Sequence, residues 1–145
     1  MNAGQRGFGA IVAIVILVVM ATISAALVRL GTTQQVTSTQ DILSARAWQT
    51  ARAGNEWGLY WALRGGSCAG AAGTMDLRAT TGFSVTVSCA ARTFNEGETS
   101  PGVPSVITTY SIEAIACNSA ACPDAALAAT PGYVERKRSV LANTP

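Results

Sequence analysis

The feature that most constrains this chain is a stretch of 21 residues near its start, Phe8 to Val28, that contains no charged side chain. Built as an α-helix with a rise of 1.5 Å per residue, it would be roughly 31 Å long, close to the hydrocarbon thickness of a bilayer. Thr22 and Ser24 carry its only polar side chains. Both hydroxyls can donate hydrogen bonds to the helix backbone. We therefore expect a single membrane-spanning helix.

A cleaved secretory signal is the alternative explanation for such a segment. Signal peptides have an apolar region of about 7–15 residues followed by a small-residue cleavage site. The segment here is longer, and its one weak late site, Ser24–Ala26, is closely followed by Arg29. We therefore favour a retained helix. Arg6 precedes the span, so the positive-inside rule predicts a chain that crosses the membrane once, with its C-terminal part outside the cytoplasm.

Composition argues against catalysis and nucleic-acid binding. The 145 residues include no histidine, so the commonest general base and the commonest metal ligand are missing. No glycine-rich phosphate loop, nucleophile elbow or suitably spaced carboxylate pair is evident in the sequence. The net charge of +2 is too small for a nucleic-acid-binding face, and the basic run Arg136–Arg138 predicts a solvated edge strand with alternating faces. We expect no catalytic residue, cofactor, metal site or nucleic-acid partner.

The helical pattern continues beyond the apolar stretch. Gln34–Leu63 contains no proline, and good helix formers dominate much of it. Three- and four-residue spacings create a stripe suited to packing on a sheet, formed by Leu43, Ala47, Gly54, Trp57, Gly58 and Trp61. A glycine pair after Arg64 ends the pattern. The sequence predicts one helix over Phe8–Leu63, with a weak point at Gly31–Thr33.

The C-terminal half predicts a small antiparallel sheet, which gives an α+β fold class. Alternating apolar and polar residues indicate three strands, over Phe83–Ala90, Val106–Cys117 and Gly132–Ala142. The glycine- and proline-containing segment Asn95–Pro104 is predicted as the loop between the first two. A three-stranded meander packed on the second half of the helix fits this order. The strand that carries Arg136–Arg138 suits an edge, because charges there block unwanted pairing.

Four cysteines in the outer part of the chain suit an oxidising compartment and allow three disulfide pairings. Zinc is the rival use, but no two of them have the two-residue spacing of a zinc knuckle. Among the three pairings we favour the local one, Cys68 with Cys89 and Cys117 with Cys122. Loop-closure entropy assigns these bridges roughly 3 and 2 kcal/mol, a large share of the stability of so small a domain.

Two further groups of side chains could bind a ligand or could have only a structural role. Loop carboxylates could bind calcium, but no D-x-D-x-D-G pattern is present, so we expect solvated charges at Asp76, Glu96, Glu98 and Asp124. The three tryptophans could form a sugar platform, but their helical spacing is more typical of core positions at Trp48, Trp57 and Trp61.

Gly7 followed by Phe8, the apolar stretch and one helix of some fifty residues together resemble the type IV pilin-like family. In that family a membrane prepilin peptidase cuts after the glycine on the cytoplasmic side. The new N-terminal phenylalanine is methylated, and the apolar helix is kept. The resemblance implies a leader over 1–7, an assembly helix over 8–30, a periplasmic helical half over 31–64 and a disulfide-stapled β-sheet domain over 65–145.

Val12 departs from the family pattern, because pilins usually carry a glutamate at this fifth position after the cut. That glutamate is thought to pair with the N-terminal amine of the preceding subunit, which a valine cannot do. A subunit without it suits filament initiation or the filament tip, so the resemblance favours a minor rather than a major pilin. The segment Ala51–Arg64, ARAGNEWGLYWALR, is similar to the MshP family of MSHA pilus biogenesis proteins.

The partners implied by this resemblance are other pilin-like subunits, the prepilin peptidase, the inner-membrane assembly platform and membrane lipid. Two alternatives stay open at this stage. One is a pseudopilin of a type II secretion system. The other is an unprocessed single-pass membrane protein whose periplasmic domain binds a ligand.

Overall fold

A computed structural model describes residues 6–144, apart from the side chains of residues 6–8 and 30–33. Within it the chain forms two compact units, Met1–Thr39 and Gln40–Pro145. The elements in chain order are α1 (Arg6–Gly65), β1 (Gly73–Leu77), α2 (Arg78–Thr81), β2 (Phe83–Ser100), β3 (Val103–Cys117) and β4 (Glu135–Thr144). The α+β class predicted from the sequence is confirmed.

The described part of the first unit is entirely helical. Its residues belong to α1, which begins and ends within two residues of the predicted helix over Phe8–Leu63. The backbone stays helical through Gly31–Thr33, so the predicted weak point does not interrupt it. Thr22 Oγ1 donates to the carbonyl of Val19 at 2.8 Å, and Ser24 Oγ donates to that of Met20 at 2.8 Å. Both polar side chains are therefore satisfied by the helix itself, as expected.

The second unit contains a four-stranded sheet in the order β1-β2-β3-β4, in which every neighbouring pair is antiparallel. The prediction of three strands was wrong, because the short β1 was missed. The predicted loop over Asn95–Pro104 was also wrong: β2 and β3 continue through most of it as a hairpin that turns at Pro101 and Gly102. β4 begins at Glu135 rather than at Gly132. Its expected place at an edge of the sheet is confirmed.

The core of the second unit lies between the sheet and the part of α1 that begins at Gln40. Small residues at three- and four-residue spacings bring the helix backbone close to the strands: Ala47, Ala51, Gly54, Gly58 and Ala62 are all buried. A Cβ at Gly54 would lie 2.7 Å from Val85 Cγ2, and one at Gly58 would lie 2.7 Å from Ile112 Cγ2. The close approach therefore requires glycine at both positions.

Of the three tryptophans predicted in the core, Trp57 packs against it, whereas Trp48 and Trp61 are exposed. Trp48 is 45% exposed and Trp61 is 44% exposed, while Trp57 is half-buried. Because α1 lies so close to the strands, no space remains between them for an indole ring. The rings lie beside the buried stripe instead, where Trp57 and Trp61 make an edge-to-face contact with centroids 6.5 Å apart.

Two disulfides staple the second unit, and they join the pairs favoured from the sequence. Cys68 bonds to Cys89, which ties the segment after α1 to the middle of β2. Cys117 bonds to Cys122, which closes a short loop at the end of β3. Cys117 and Cys122 are buried, and Cys68 and Cys89 pack against the core cluster.

Candidate functional site

The apolar surface of α1 in the first unit is the most unusual surface of the chain. Every residue from Gly9 to Arg29 is exposed. Large apolar side chains occur all around it, with Ile11 63%, Leu17 69% and Val28 67% exposed. Among the described residues, α1 is the one helix that is long and apolar enough to cross a membrane. Such a surface needs an apolar environment, which lipid or other helices supply.

The sequence-predicted assembly position lies on this surface. Val12 is 42% exposed, so its isopropyl group is available to lipid or to a neighbouring helix. A glutamate there would present a carboxylate to the same environment. The predicted processing site at Gly7 and Phe8 lies outside the residues whose side chains are described, and the cut there stays a prediction.

The basic run on β4 has contacts on both faces of the sheet, as alternation predicted. Arg136 Nη2 donates to Ser44 Oγ at 2.7 Å, and the guanidinium of Arg138 stacks over the Trp48 ring at 4.4 Å from its centroid. Lys137 points the other way and forms an ion pair with Glu113 on β3. These cations therefore hold β4 to α1 and β3, and they do not form one continuous basic face.

The four carboxylates considered for calcium do not come together. Within residues 6–144 no group of three or more potential ligand side chains is placed to hold a metal ion. Asp76 instead accepts two hydrogen bonds from the Arg78 guanidinium, and these hold the pKa of its carboxyl well below the ordinary value. Glu98 accepts from the backbone N–H of Gly102 at the hairpin turn.

Asp124 organises the long connection between β3 and β4. Its Oδ2 accepts from Ser119 Oγ at 2.6 Å, which lowers the pKa of the Asp124 carboxyl. Its Oδ1 accepts from the backbone N–H groups of Ala126 and Leu127. Asn118 closes the loop, because its side chain donates to the carbonyl of Gly132 and accepts from the N–H of Val134. The Asp124 carboxylate therefore has a structural role in this connection.

A cleft of about 490 Å³, lined by both apolar and polar atoms, opens beside α1 in the second unit. Its lining consists of Arg46, Gln49, Thr50, Ala53, Leu77, Thr80 and Thr81. The cleft carries one guanidinium, one amide and three hydroxyls, without a carboxylate or a thiol. This set lacks the paired acid and base that general acid–base chemistry needs.

The outer half of the β2–β3 hairpin is a surface that sequence reasoning missed. Residues 90–104 are all exposed, and they include large apolar side chains at Phe94 and Val103. Turn-forming residues led to the prediction of a loop there. The alternation of small or polar with larger side chains in AARTFN (90–95) was the signal that could have revealed the strand.

Comparisons of this chain with protein-family models, with curated proteins and with solved structures found no match.

Proposed function

We propose that this chain is a minor, pilin-like subunit of a type IV pilus system of the MSHA type, and that it acts in pilus initiation or at the filament tip. The observation that carries the proposal is the fully exposed apolar surface of α1 between Gly9 and Arg29. It occurs in a chain whose other unit is a small, disulfide-stapled α+β domain. These are the parts that a membrane-stored filament subunit needs.

The apolar helix supports the proposal through its lack of a polar side. A helix that is apolar all round can leave a bilayer only for another apolar environment. A bundle of similar helices in the core of a filament is such an environment. Because Thr22 and Ser24 return their hydroxyls to the backbone, they expose no unpaired donor in either setting.

The Gly7–Phe8 pair supports processing by a prepilin peptidase. It directly precedes the apolar stretch, which is where the family is cut. Removal of residues 1–7 would free the amine of Phe8 at the cytoplasmic end of the span. The helix itself would be retained, unlike the apolar region of a discarded signal peptide.

Val12 supports a minor role. A carboxylate in the apolar part of a bilayer costs up to about 2.5–3.5 kcal/mol on insertion scales, the value at the helix centre. The resemblance implies that major subunits offset this penalty by pairing with a neighbour's amine. Valine avoids that penalty and gives up the pairing. A subunit that has no preceding subunit to dock on loses nothing by this exchange, which favours initiation or the tip.

The test is genetic and uses the Gly7 position. In the bacterium that encodes this chain, deletion of the gene should reduce the number of surface pili seen by electron microscopy. The wild-type chain should restore them, and Gly7→Val should not, because its leader would stay attached. Gly65→Ala is the matched control, since the nearest atom to a Cβ there, Ser67 Oγ, lies 4.0 Å away. It should restore piliation fully.

Three outcomes would contradict the proposal. Unchanged piliation after deletion would remove the pilus role. Restoration by Gly7→Val would remove the role of processing. Loss of protein secretion with intact pili would instead assign the chain to the alternative class, the pseudopilins of type II secretion.

A further inference from the structure

The sheet of the second unit has an unpaired edge along the outer part of β2. β1 pairs with β2 only from Phe83 to Val87, and the disulfide of Cys89 follows directly. From Ala90 to Ser100, no strand within residues 6–144 pairs with the side of β2 that faces away from β3. All of these residues are exposed. Long unpaired edges of this kind are templates for pairing with another chain.

The charged side chains on β4 have partners within the second unit, whereas two on the outer part of β2 have none among the described residues. On β4 the three cations contact Ser44, Trp48 and Glu113 within the same unit. On the β2 edge, neither Arg92 nor Glu96 has a side-chain hydrogen bond or ion pair with any of the described residues. The β2 edge therefore carries one cation and one anion that remain free to pair with another molecule.

The positions of these charges make the edge complementary to itself. In the sequence ARTFNEG, Arg92 lies two residues before Phe94 and Glu96 lies two residues after it. We propose that the β2 edges of two copies of this chain pair antiparallel about a two-fold axis at Phe94. Arg92 of each copy then lies opposite Glu96 of the other, and the two Phe94 rings lie opposite each other. Directly opposed residues on one face of an antiparallel pair are close enough to interact.

Arg92 and Phe94 lie on the same face of the sheet, as this pairing requires. Both line one shallow groove of about 350 Å³, together with Ala90, Thr109, Ser111 and Leu141. The side chain of Phe94 is 51% exposed and Leu141, on β4, is 70% exposed. A second Phe94 ring placed against the first would cover apolar surface that this unit leaves in water.

Other registers satisfy fewer of these groups. Centring the two-fold axis on Thr93 would oppose Arg92 to Phe94. Centring it on Asn95 would oppose Phe94 to Glu96. Only the axis at Phe94 matches cation with anion and ring with ring at the same time. The β2–β3 register shifts between Asn95 and Glu98, so the Arg92–Glu96 pairs are the outermost pairs of a short segment, and the dimer is weak and reversible.

The test measures self-association of the full chain in detergent by sedimentation equilibrium. Arg92→Glu places like charges opposite each other twice in the two-fold pair, so it should weaken the dimer about tenfold or more. Glu96→Arg should do the same, and the double variant Arg92→Glu/Glu96→Arg should restore association. Arg46→Glu is the matched control, because Arg46 is an exposed arginine of the same unit that lies on α1. It should leave the dimer unchanged.

Two results would overturn the pairing. One is a wild-type chain that stays monomeric up to millimolar concentration. The other is association that Arg92→Glu leaves unchanged, because the apolar helix would then be its cause. Failure of the double variant to restore association would also contradict the proposed register. The pairing uses only the sheet of the second unit, so these results do not bear on the pilus assignment.

A cysteine variant provides an independent test of the register. Phe94→Cys should form a disulfide-linked dimer under mild oxidation, since the two-fold axis places both copies of this residue opposite each other. Leu141→Cys is the control, because Leu141 lies on the same face and is more exposed, but belongs to β4. Equal crosslinking of the two variants, or none at Phe94→Cys, would contradict the axis at Phe94.

Discussion

Replacement of Gly54 by alanine is expected to loosen the packing of α1 on the sheet. A Cβ there would lie 2.7 Å from Val85 Cγ2, 3.1 Å from Ala114 Cβ and 3.2 Å from Val87 Cγ2. All three neighbours are buried, and the Ala114 Cβ cannot rotate away because it is bonded directly to the backbone of β3. Overpacking of this kind costs about 1–3 kcal/mol, and alanine in place of glycine in a helix returns about 0.5–1 kcal/mol. The expected net loss in the free energy of unfolding is about 1 kcal/mol, within limits of about 0 and 2.5 kcal/mol.

Urea unfolding of the full chain in detergent, with the disulfides intact, measures this loss. Tryptophan fluorescence is a suitable probe because all three tryptophans, Trp48, Trp57 and Trp61, lie on α1. The midpoint should fall without a change in the slope of the transition. The control Gly65→Ala, whose Cβ would make only an ordinary contact with Ser67 Oγ at 4.0 Å, should be unchanged or more stable by up to about 1 kcal/mol. If Gly54→Ala raised the midpoint as much as Gly65→Ala did, the close approach of α1 to the sheet would be refuted.

Three further predictions concern the disulfides, pH and the assembly position. Serine at both Cys68 and Cys89 should lower the free energy of unfolding by roughly 3 kcal/mol, and serine at both Cys117 and Cys122 by roughly 2 kcal/mol. The first loss is larger because the first bridge closes the longer loop. Urea titration of the two variants checks this order, and the reverse order would contradict it. Arg78 lowers the pKa of Asp76 in the folded chain, so the ionised carboxylate stabilises the fold fully above about pH 4 and this contribution is lost as the pH falls further. Asp76→Asn should therefore be less stable than the wild type at pH 7, with a smaller difference at pH 2, and a difference independent of pH would refute the linkage. Val12→Glu should still insert into membranes but change the subunit's crosslinks to its neighbours. Unchanged crosslinks together with unchanged piliation would count against a position at the filament tip.

The features predictable from the sequence are those set by local pattern. The 60-residue span of α1 follows from an apolar stretch of membrane-spanning length, a second half rich in helix formers and a glycine pair at its end, and none of these depends on distant contacts. The stretch before Arg29 is apolar on every side. The sequence alone therefore predicts a helix that needs lipid or other helices around it. Period-two alternation likewise located the inner parts of β2 and β3, where one face of each strand lies against the helix.

The features that were missed depend on pairing between distant residues. β1 has five residues and a weak apolar pattern, and it is a strand because its whole length pairs with Phe83–Val87. The hairpin beyond Ala90 contains Gly97, Pro101 and Gly102, which predict loops locally, although cross-strand hydrogen bonds extend the ladder past the first of them. Hence the unpaired β2 edge could not be recognised before the strand order was known.

The tryptophans illustrate a second limit. Their spacing predicts a shared buried face, but the burial of a ring depends on how far apart the helix and the sheet lie. Gly54 and Gly58 set that separation, which leaves room for the methyl groups of the neighbouring buried alanines but not for the Trp61 ring. The spacing of residues along a helix predicts which face a side chain lies on. How large a side chain can be buried there depends on the distance to the opposing strands.

Intact mass and N-terminal sequencing of the polypeptide extracted from bacterial membranes provide the decisive measurement. A pilin-like subunit should lack Met1–Gly7 and begin at Phe8 with one methyl group on its amine. A polypeptide that retains Met1 would contradict processing and favour an ordinary single-pass membrane protein. A polypeptide that begins beyond Val28 would contradict retention of the apolar helix and show that the segment is a discarded signal.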